Sequence, residues 1–406
     1  MLKFLQIKIG EMNQDLTIYK MLLNIPNLEV EQVEFKKNVV HIFCKINKIS
    51  AESCPNCGQL VDTKTPKYRR QIRDLDISGR KVILHLQVHQ YRCDCGRRFS
   101  ETFEIVSPGK SYTKRQAKYV FEMSAKQSHL QVAAIVDMCH KTVERICYDQ
   151  VIERPINWSK IRRIGIDEFA FKKGHKDFIT ILIDLDTHEI IDILEQRDKK
   201  FLRAYFQGLG EEFCQQIQEF CSDMWGPFQD LAAELFPNAM IHVDRFHWTL
   251  HLNKVLDNTR KKLRRNDKEE EAFKGLKWKL IKRPENLKPQ EAEDLQKAFE
   301  KAPELEDLYQ LRNTFQAIFD TDYSYDFAVQ QIDHWLAYAA NWKNKYLKQF
   351  TELFERHRTN ILNYFKTSLS SGAVEGTNNL LRTVKRFTFG MSNFENFKFR
   401  VFAYKM

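Results

Sequence analysis

The spacing of apolar positions divides this chain of 406 residues into blocks of different period. After a short start, Val33, Phe35, Val39, Ile42 and Cys44 flank a Lys36-Lys37-Asn38 turn and predict paired strands. A further strand, Val82 to Val88, leads into Tyr91-Arg92-Cys93-Asp94-Cys95-Gly96. From 113 the period lengthens to that of helices. Thr113 to Lys126 has Ala117, Val120 and Phe121 inward, Leu130 to Val136 follows, and His140 to Val151 carries Val143, Ile146, Cys147 and Val151 on one face. Residues 160–245 return to strands: Lys160 to Phe171, then Ile179 to Leu185 with both faces apolar, Ile190 to Leu194, Ile217 to Cys221, and Met240 to Val243. Residues 246–366 are charged and helical in period, broken at Pro284, Pro289 and Pro303, with Trp278, Trp335 and Trp342 expected in their core. Residues 370–406 form a basic helix and an aromatic tail whose Phe394, Phe397, Phe399 and Phe402 read as core.

Length allows two to four domains, and a 43% hydrophobic content is that of a globular chain. The net charge of +10 favours a polyanionic partner, because each neutralised phosphate releases counterions. Nine cysteines, an odd number, with no signal-peptide core from Met1 to Lys20, predict reduced thiols in a cytoplasm. No apolar run approaches the ~20 residues of a membrane helix, so no membrane role is expected.

Two patterns point to binding modules. Cys54 and Cys57 are spaced CxxC, Cys93 and Cys95 CxC, each pair beside a glycine (Gly58, Gly96). Turn-borne pairs let four thiolates face one tetrahedral zinc ion, and four protein ligands make it structural. Such a β-rich module would present Arg97 and Arg98 to a nucleic-acid backbone. The three helices of 113–152 fit a helix-turn-helix that turns Lys141, Thr142, Glu144 and Arg145 to solvent as a recognition helix does. Its turn, Asp137-Met138-Cys139, departs from the usual Gly and Ser: Asp tolerates a left-handed conformation, and Cys139 is a poor helix cap.

The chemistry is carried by carboxylates. Asp167 lies in Ile164-Gly165-Ile166-Asp167-Glu168, Asp223 follows an apolar run, Asp244 ends another, and Glu375 opens the last basic helix. Three strands in hairpins followed by strand–helix–strand is the start of a ribonuclease-H-like fold, in which carboxylates at neighbouring strand ends share a metal site. Moving a phosphodiester needs a nucleophile aligned opposite a leaving oxygen, and two hard cations about 3.5–4 Å apart stabilise both. His247 and His251 form HxxxH, but Trp248 stands where a zincin has Glu.

Taken together, the CPNCG and CxCG pairs, the helix-turn-helix, Ile164 to Ala170, Asp184-Leu185-Asp186-Thr187, Asp223-Met224-Trp225, Phe236-Pro237-Asn238-Ala239, Val243 to His247, Ser371 to Asn379 and Lys385-Arg386 resemble the ISL-three family of DDE-type insertion-sequence transposases nearly end to end. The resemblance implies a DNA transposase that binds the terminal inverted repeats of its element and catalyses metal-dependent strand cleavage and transfer. The competing reading is a non-catalytic DNA-binding regulator derived from one. The implied triad is Asp167, Asp223 and Glu375, holding Mg²⁺ or Mn²⁺. Asp244 competes with Asp223, yet Asp244-Arg245-Phe246-His247 fits the Asp/Cys-x-x-His signature found one strand later in related enzymes, with His247 contacting the scissile phosphate or orienting a ligand. Arg382, Lys385 and Arg386 would meet the backbone close to the cut. The expected architecture is multidomain α/β: a β-rich module over 1–110 with structural Zn²⁺, a helix-turn-helix over 111–155, a ribonuclease-H-like catalytic domain over 156–247 and 367–406, and an all-helical insertion over 248–366. Expected partners are the element ends, target DNA and a second copy, in a bacterial, nucleoid-associated setting.

Overall fold

The computed structural model describes residues 16–47, 51–62, 64–154, 156–172, 177–266, 273–369 and 372–406. Contacts divide the chain into two compact units: residues 1–152 with 387–389 and 399–406, and residues 153–386 with 390–398.

In the first unit, α1 (Leu16–Leu23) precedes a hairpin of β1 (Leu28–Lys36) and β2 (Val39–Ile46), turned by Lys37 at φ 54°. The short β3 (Glu52–Ser53) and β4 (Leu60–Val61) pair with each other. The long β5 (Lys64–Ile77) and β6 (Arg80–Arg92) complete the main sheet in the order β1-β2-β6-β5, with β7 (Arg98–Ser100) on β6. Alternate residues Val40, Ile42 and Cys44 meet Val82, Leu84, Leu86 and Val88 in a fully buried face, as a period of two requires.

Three helices follow: α2 (Lys114–Lys126), α3 (His129–Val136) and α4 (His140–Tyr148). Thr113 caps α2, and Ser128 with Gln131 forms a capping box on α3. Asp137 adopts the left-handed conformation (φ 49°), and Cys139 makes no capping hydrogen bond. Val120, Val132, Val143 and Ile146 form the core. Val151 does not join it: α4 ends at Tyr148 and Val151 is 83% exposed. Asp74 of β5 is buried and accepts from Thr113 Oγ1 at 2.7 Å and from Arg115, fixing α2 on the sheet.

Residues 399–406 belong to this unit through Arg400, which is 1% exposed. Its guanidinium donates to the carbonyls of Ser124 and Gln127 (2.7 Å for the latter) and to His129 Nε2 at 2.6 Å. Burial, then the nearby Arg400 charge, holds His129 down to about 4, so it is a neutral acceptor. Replacing Arg400 with Met leaves two helix-end carbonyls without their donor. The expected loss is ~3 kcal/mol, read as a lower urea midpoint; an unchanged midpoint refutes it.

The second unit has a sheet of five strands. These are β8 (Arg163–Ala170), β9 (Phe178–Asp184) and β10 (Ile190–Leu194), then α5 (Lys199–Gly208) and α6 (Glu211–Gln216), then β11 (Glu219–Ser222), α7 (Gly226–Leu235) and β12 (Met240–Val243). Their order is β10-β9-β8-β11-β12; the first three are antiparallel, and β11 runs parallel to both β8 and β12. Asp184 makes the β9–β10 turn, accepting from Asp186 N and Thr187 Oγ1. On one face Ile164, Ile166 and Leu182 pack with Leu202, Phe206, Phe213, Phe228 and Leu231.

From 245 to 367 the described residues form helices: α8 (Arg245–Asn266), α9 (Lys277–Leu280), α10 (Pro289–Lys301), α11 (Pro303–Asp320), α12 (Tyr325–Ala340), α13 (Lys345–Arg356), α14 (Arg358–Leu362) and α15 (Tyr364–Thr367), with a 3₁₀ turn at Pro284–Asn286. Pro289 and Pro303 open helices, where the missing N–H costs nothing. Trp248, Phe315, Phe319, Trp335, Phe350 and Phe354 build their core, and Trp342 packs against it. Trp278 does not; it is 66% exposed. The chain closes with α16 (Gly372–Phe387) and α17 (Phe394–Lys405), whose Phe394 and Phe397 pack on Phe171 and Phe169 across the second face of the sheet. No described helix is long and apolar enough to cross a membrane.

Candidate metal-dependent active site and cysteine cluster

Strand register brings three aspartates level. The parallel ladders pair Cys221 with Gly165 and Ser222 with Val243. Carried past the end of β11, the same register sets Asp223 beside Asp167 on one side and Asp244 on the other. Residues level on neighbouring strands project to the same face. Each carboxylate is held by a local amide: Asp167 Oδ1 by Glu168 N (2.8 Å), Asp223 Oδ1 by Trp225 N (2.9 Å), Asp244 Oδ1 by Phe246 N (2.8 Å). His247, on the first turn of α8, puts Nε2 3.7 Å from both Asp167 Oδ1 and Asp244 Oδ2.

Helix α16 reaches the same place. Asn378 Nδ2 donates to Asp167 Oδ2 at 2.5 Å, and Lys385 Nζ to the Ala170 carbonyl at 2.7 Å. Glu375 is exposed in the first turn, three residues before Asn378 and so on the same helix face. Asn378 and Glu168 were not singled out from sequence. The i+3 spacing from Glu375 was the available signal for Asn378.

Burial pushes the Asp167 carboxyl above the usual range; His247, Asn378 and the Glu168 amide pull it back, and Asp244 adds repulsion. Burial likewise raises Asp223, against the Trp225 amide and His247, with Asp167 repelling it. Glu168 is raised by burial and partly restored by Arg197, which donates to its Oε2 at 2.5 Å and stacks over Phe178 and Trp225. Two oxygens here, Glu168 Oε1 and Asn378 Oδ1, are buried without a hydrogen-bond donor. An anionic, all-oxygen donor set suits Mg²⁺ or Mn²⁺.

A raised folded-state value means that the folded chain takes up a proton more readily than the unfolded one. The stability this provides is present at low pH and is lost as pH rises from the ordinary Asp value through the raised one. At neutral pH the penalty for the charge is complete. Asp167→Asn, toward which Asn378 can turn its unpartnered oxygen, is therefore expected to raise the melting temperature at pH 7 without divalent cations. The gain should vanish below about pH 4; a lower melting temperature at pH 7 would refute the account.

In the first unit the four cysteines converge. Cys54 Sγ lies 3.7 Å from Cys95 Sγ, Cys57 Sγ 3.5 Å from Cys93 Sγ, and all four within 4.8 Å of one another. Sulfurs at the tetrahedral zinc distance sit about 3.8 Å apart, so the set fits zinc. Gly58 (φ 75°) and Gly96 (φ 87°) make the two turns, their amides donating to Cys54 and Cys93 carbonyls at 2.9 Å. The Arg97 amide, then the Asn56 side chain, draws the Cys95 thiol down to about 6. Among the described residues no three carboxylate or histidine ligands gather as closely.

The basic candidates divide between the units. Arg97 and Arg98 are exposed beside the cysteines, and Lys141 and Arg145 are exposed on α4 with Thr142 half-buried, Lys141 pairing with Glu144 at 3.2 Å. Arg382 and Arg386 are exposed on α16, whereas Lys385 is half-buried against Phe169.

Comparison with known proteins finds a transposase family and, for the cysteine module, a zinc finger. Residues 164–401 match the ISL3-type DDE family described as "Transposase", and residues 50–95 match the zinc-finger of transposases IS204/IS1001/IS1096/IS1165. The chain belongs to the ISL-three (ISL3) family of DDE transposases. It is 25% identical to the transposase for insertion sequence element IS1001 of Bordetella parapertussis, over 86% of this chain and 88% of that one. It is 22% identical to the transposase for IS1557 of Mycobacterium tuberculosis, over 93% and 92%. The Drosophila P element transposase strand transfer complex aligns with 77% of this chain and 93% of that one at a TM-score of 0.38 and 12% identity, a likeness too distant to carry weight.

Proposed function

We propose that this transposase binds the terminal inverted repeats of its element and cleaves and joins DNA with Mg²⁺ or Mn²⁺ held by Asp167, Asp223 and Glu375. The observation that carries the reading is the level placement of Asp167 on β8 and Asp223 just past the end of the adjacent β11, with Asn378 drawing the Glu375 helix onto Asp167. Neighbouring strands are about 4.8 Å apart, a spacing that suits ligands sharing one ion. Asp244 stands a strand further off, with His247 beside it to contact the scissile phosphate or orient a ligand. Bound divalent cations would supply activation of the attacking oxygen and neutralisation of the leaving one.

The fold around these residues is ribonuclease-H-like, over 156–247 and 367–406, with 248–366 as a helical insertion. Residues 1–110 hold a structural Zn²⁺, and 111–155 act as a helix-turn-helix. Arg97, Arg98, Lys141, Thr142 and Arg145 contact the ends; Arg382, Lys385 and Arg386 contact backbone near the cut. Pairing two ends calls for a dimer or larger assembly on DNA, in the bacterial cytoplasm with the nucleoid. The test incubates a fragment bearing the gene and its native flanks with protein and Mg²⁺, and maps new strand ends. Paired cuts at matching inverted repeats, lost in Asp223→Ala, are expected. Binding without cutting would favour a regulator, and loss in Asp244→Ala with Asp223→Ala active would exchange the two aspartates.

A further inference from the structure

Of the three level aspartates, Asp223 has the least support from its own strand. Asp167 is inside β8 and paired with Ile181, and Asp244 N donates to the Ser222 carbonyl at 2.7 Å. Asp223 lies beyond β11, where the ladder has ended. Its carbonyl is instead taken by Gln229 Nε2 at 3.2 Å and by Ser222 Oγ at 3.0 Å. Gln229 sits on α7 and is 9% exposed. Its other end, Oε1, accepts from His357 Nδ1 at 3.0 Å and Asn360 Nδ2 at 3.1 Å, residues from the junction of α13 and α14. Three residues on, Asn363 Nδ2 donates to the Ile241 carbonyl of β12 at 2.9 Å. The second aspartate loop is tied in the same manner: Arg245, next to Asp244, donates to Phe319 O (3.1 Å) and Asp320 Oδ1 (2.5 Å) of α11.

From these links we infer that Gln229 is a positioning residue, and that the helical region from 245 to 367 sets the active-site geometry by clamping the Asp223 loop through Gln229, His357 and Asn360. A buried amide that uses both ends fixes the direction of its partner groups, and the aspartate follows its backbone. Groups that orient a metal ligand without touching the metal change affinity or activity by ~10–100-fold when lost. The inference rests on the proposed acidic site.

The test uses the full chain with Gln229→Leu, Asn360→Ala, and Asp167→Ala as reference. Mn²⁺ is titrated and the unbound ion followed by its paramagnetic resonance signal, beside melting temperature, end-DNA affinity and cleavage rate. Gln229→Leu is expected to weaken Mn²⁺ binding and slow cleavage by ~10-fold or more with DNA affinity kept, and Asn360→Ala to fall between it and wild type. Should Gln229→Leu fail to fold, Asn360→Ala decides alone. Wild-type Mn²⁺ affinity in the folded variants, or activity lost only in proportion to the folded fraction, overturns the inference. If Asp167→Ala also binds Mn²⁺ and cuts like wild type, it is the acidic site itself that fails.

Discussion

Asp167→Ala is expected to abolish strand cleavage at the element ends, by at least ~10³-fold, with binding to the same DNA kept or slightly tightened. The carboxylate is 5% exposed and faces Asn378 and His247, so its removal strips the centre of the donor set rather than its rim. Binding should survive because phosphate affinity comes from Lys and Arg, and one negative charge fewer lowers repulsion. Asp223→Ala and Glu375→Ala should behave alike, since a cation held by two of three ligands no longer aligns nucleophile and leaving group. A gel assay on end-bearing DNA separates binding from cutting. An Asp167→Ala protein that cuts at the wild-type rate would remove the acidic site from the mechanism.

Zinc removal has the second large expected effect. The module around the cysteines has a small core of its own, Val61 and Tyr91 with Phe99 packed alongside. Structural zinc contributes ~10–16 kcal/mol in small modules, far more than so few apolar side chains. Cys57→Ser leaves three sulfurs where four lie within 4.8 Å. The purified chain is expected to hold about one zinc per protein. The variant should lose it together with most of its affinity for the element ends, while the acidic site of the second unit still binds Mn²⁺. Elemental analysis beside a DNA titration reads both. Zinc-free wild-type protein that binds its ends normally would refute this.

Local chemistry explains what could be read in advance. Met240–Val243 was legible as a strand to the residue because its apolar run has sharp ends, and the β1–β2 hairpin because polar Lys36, Lys37 and Asn38 interrupt alternating apolar positions. Asp137 and Cys139 behaved as their intrinsic preferences predict. Trp278 and Val151 went the other way. Trp278 lies between Lys277 and Lys279 after a turn at Gly275, and Val151 falls past the end of α4, so both stay exposed.

The sequence by itself determined the identity of the donors: four cysteines in turn-borne pairs, aspartates at the ends of apolar runs, and a basic final helix. Those are properties of residue type and short spacing, set by local backbone preference and ligand chemistry. Only the tertiary structure decided which donors meet. Asp167 and Asp223 are 56 positions apart in number (223 − 167) and become level through a parallel ladder. Asn378 reaches Asp167, and Gln229 reaches His357 and Asn360, over separations of 211, 128 and 131 residues. Contacts of that range depend on strand register and on how helices pack across the sheet. Register is a cooperative outcome of the whole core, so no local run of residues encodes it.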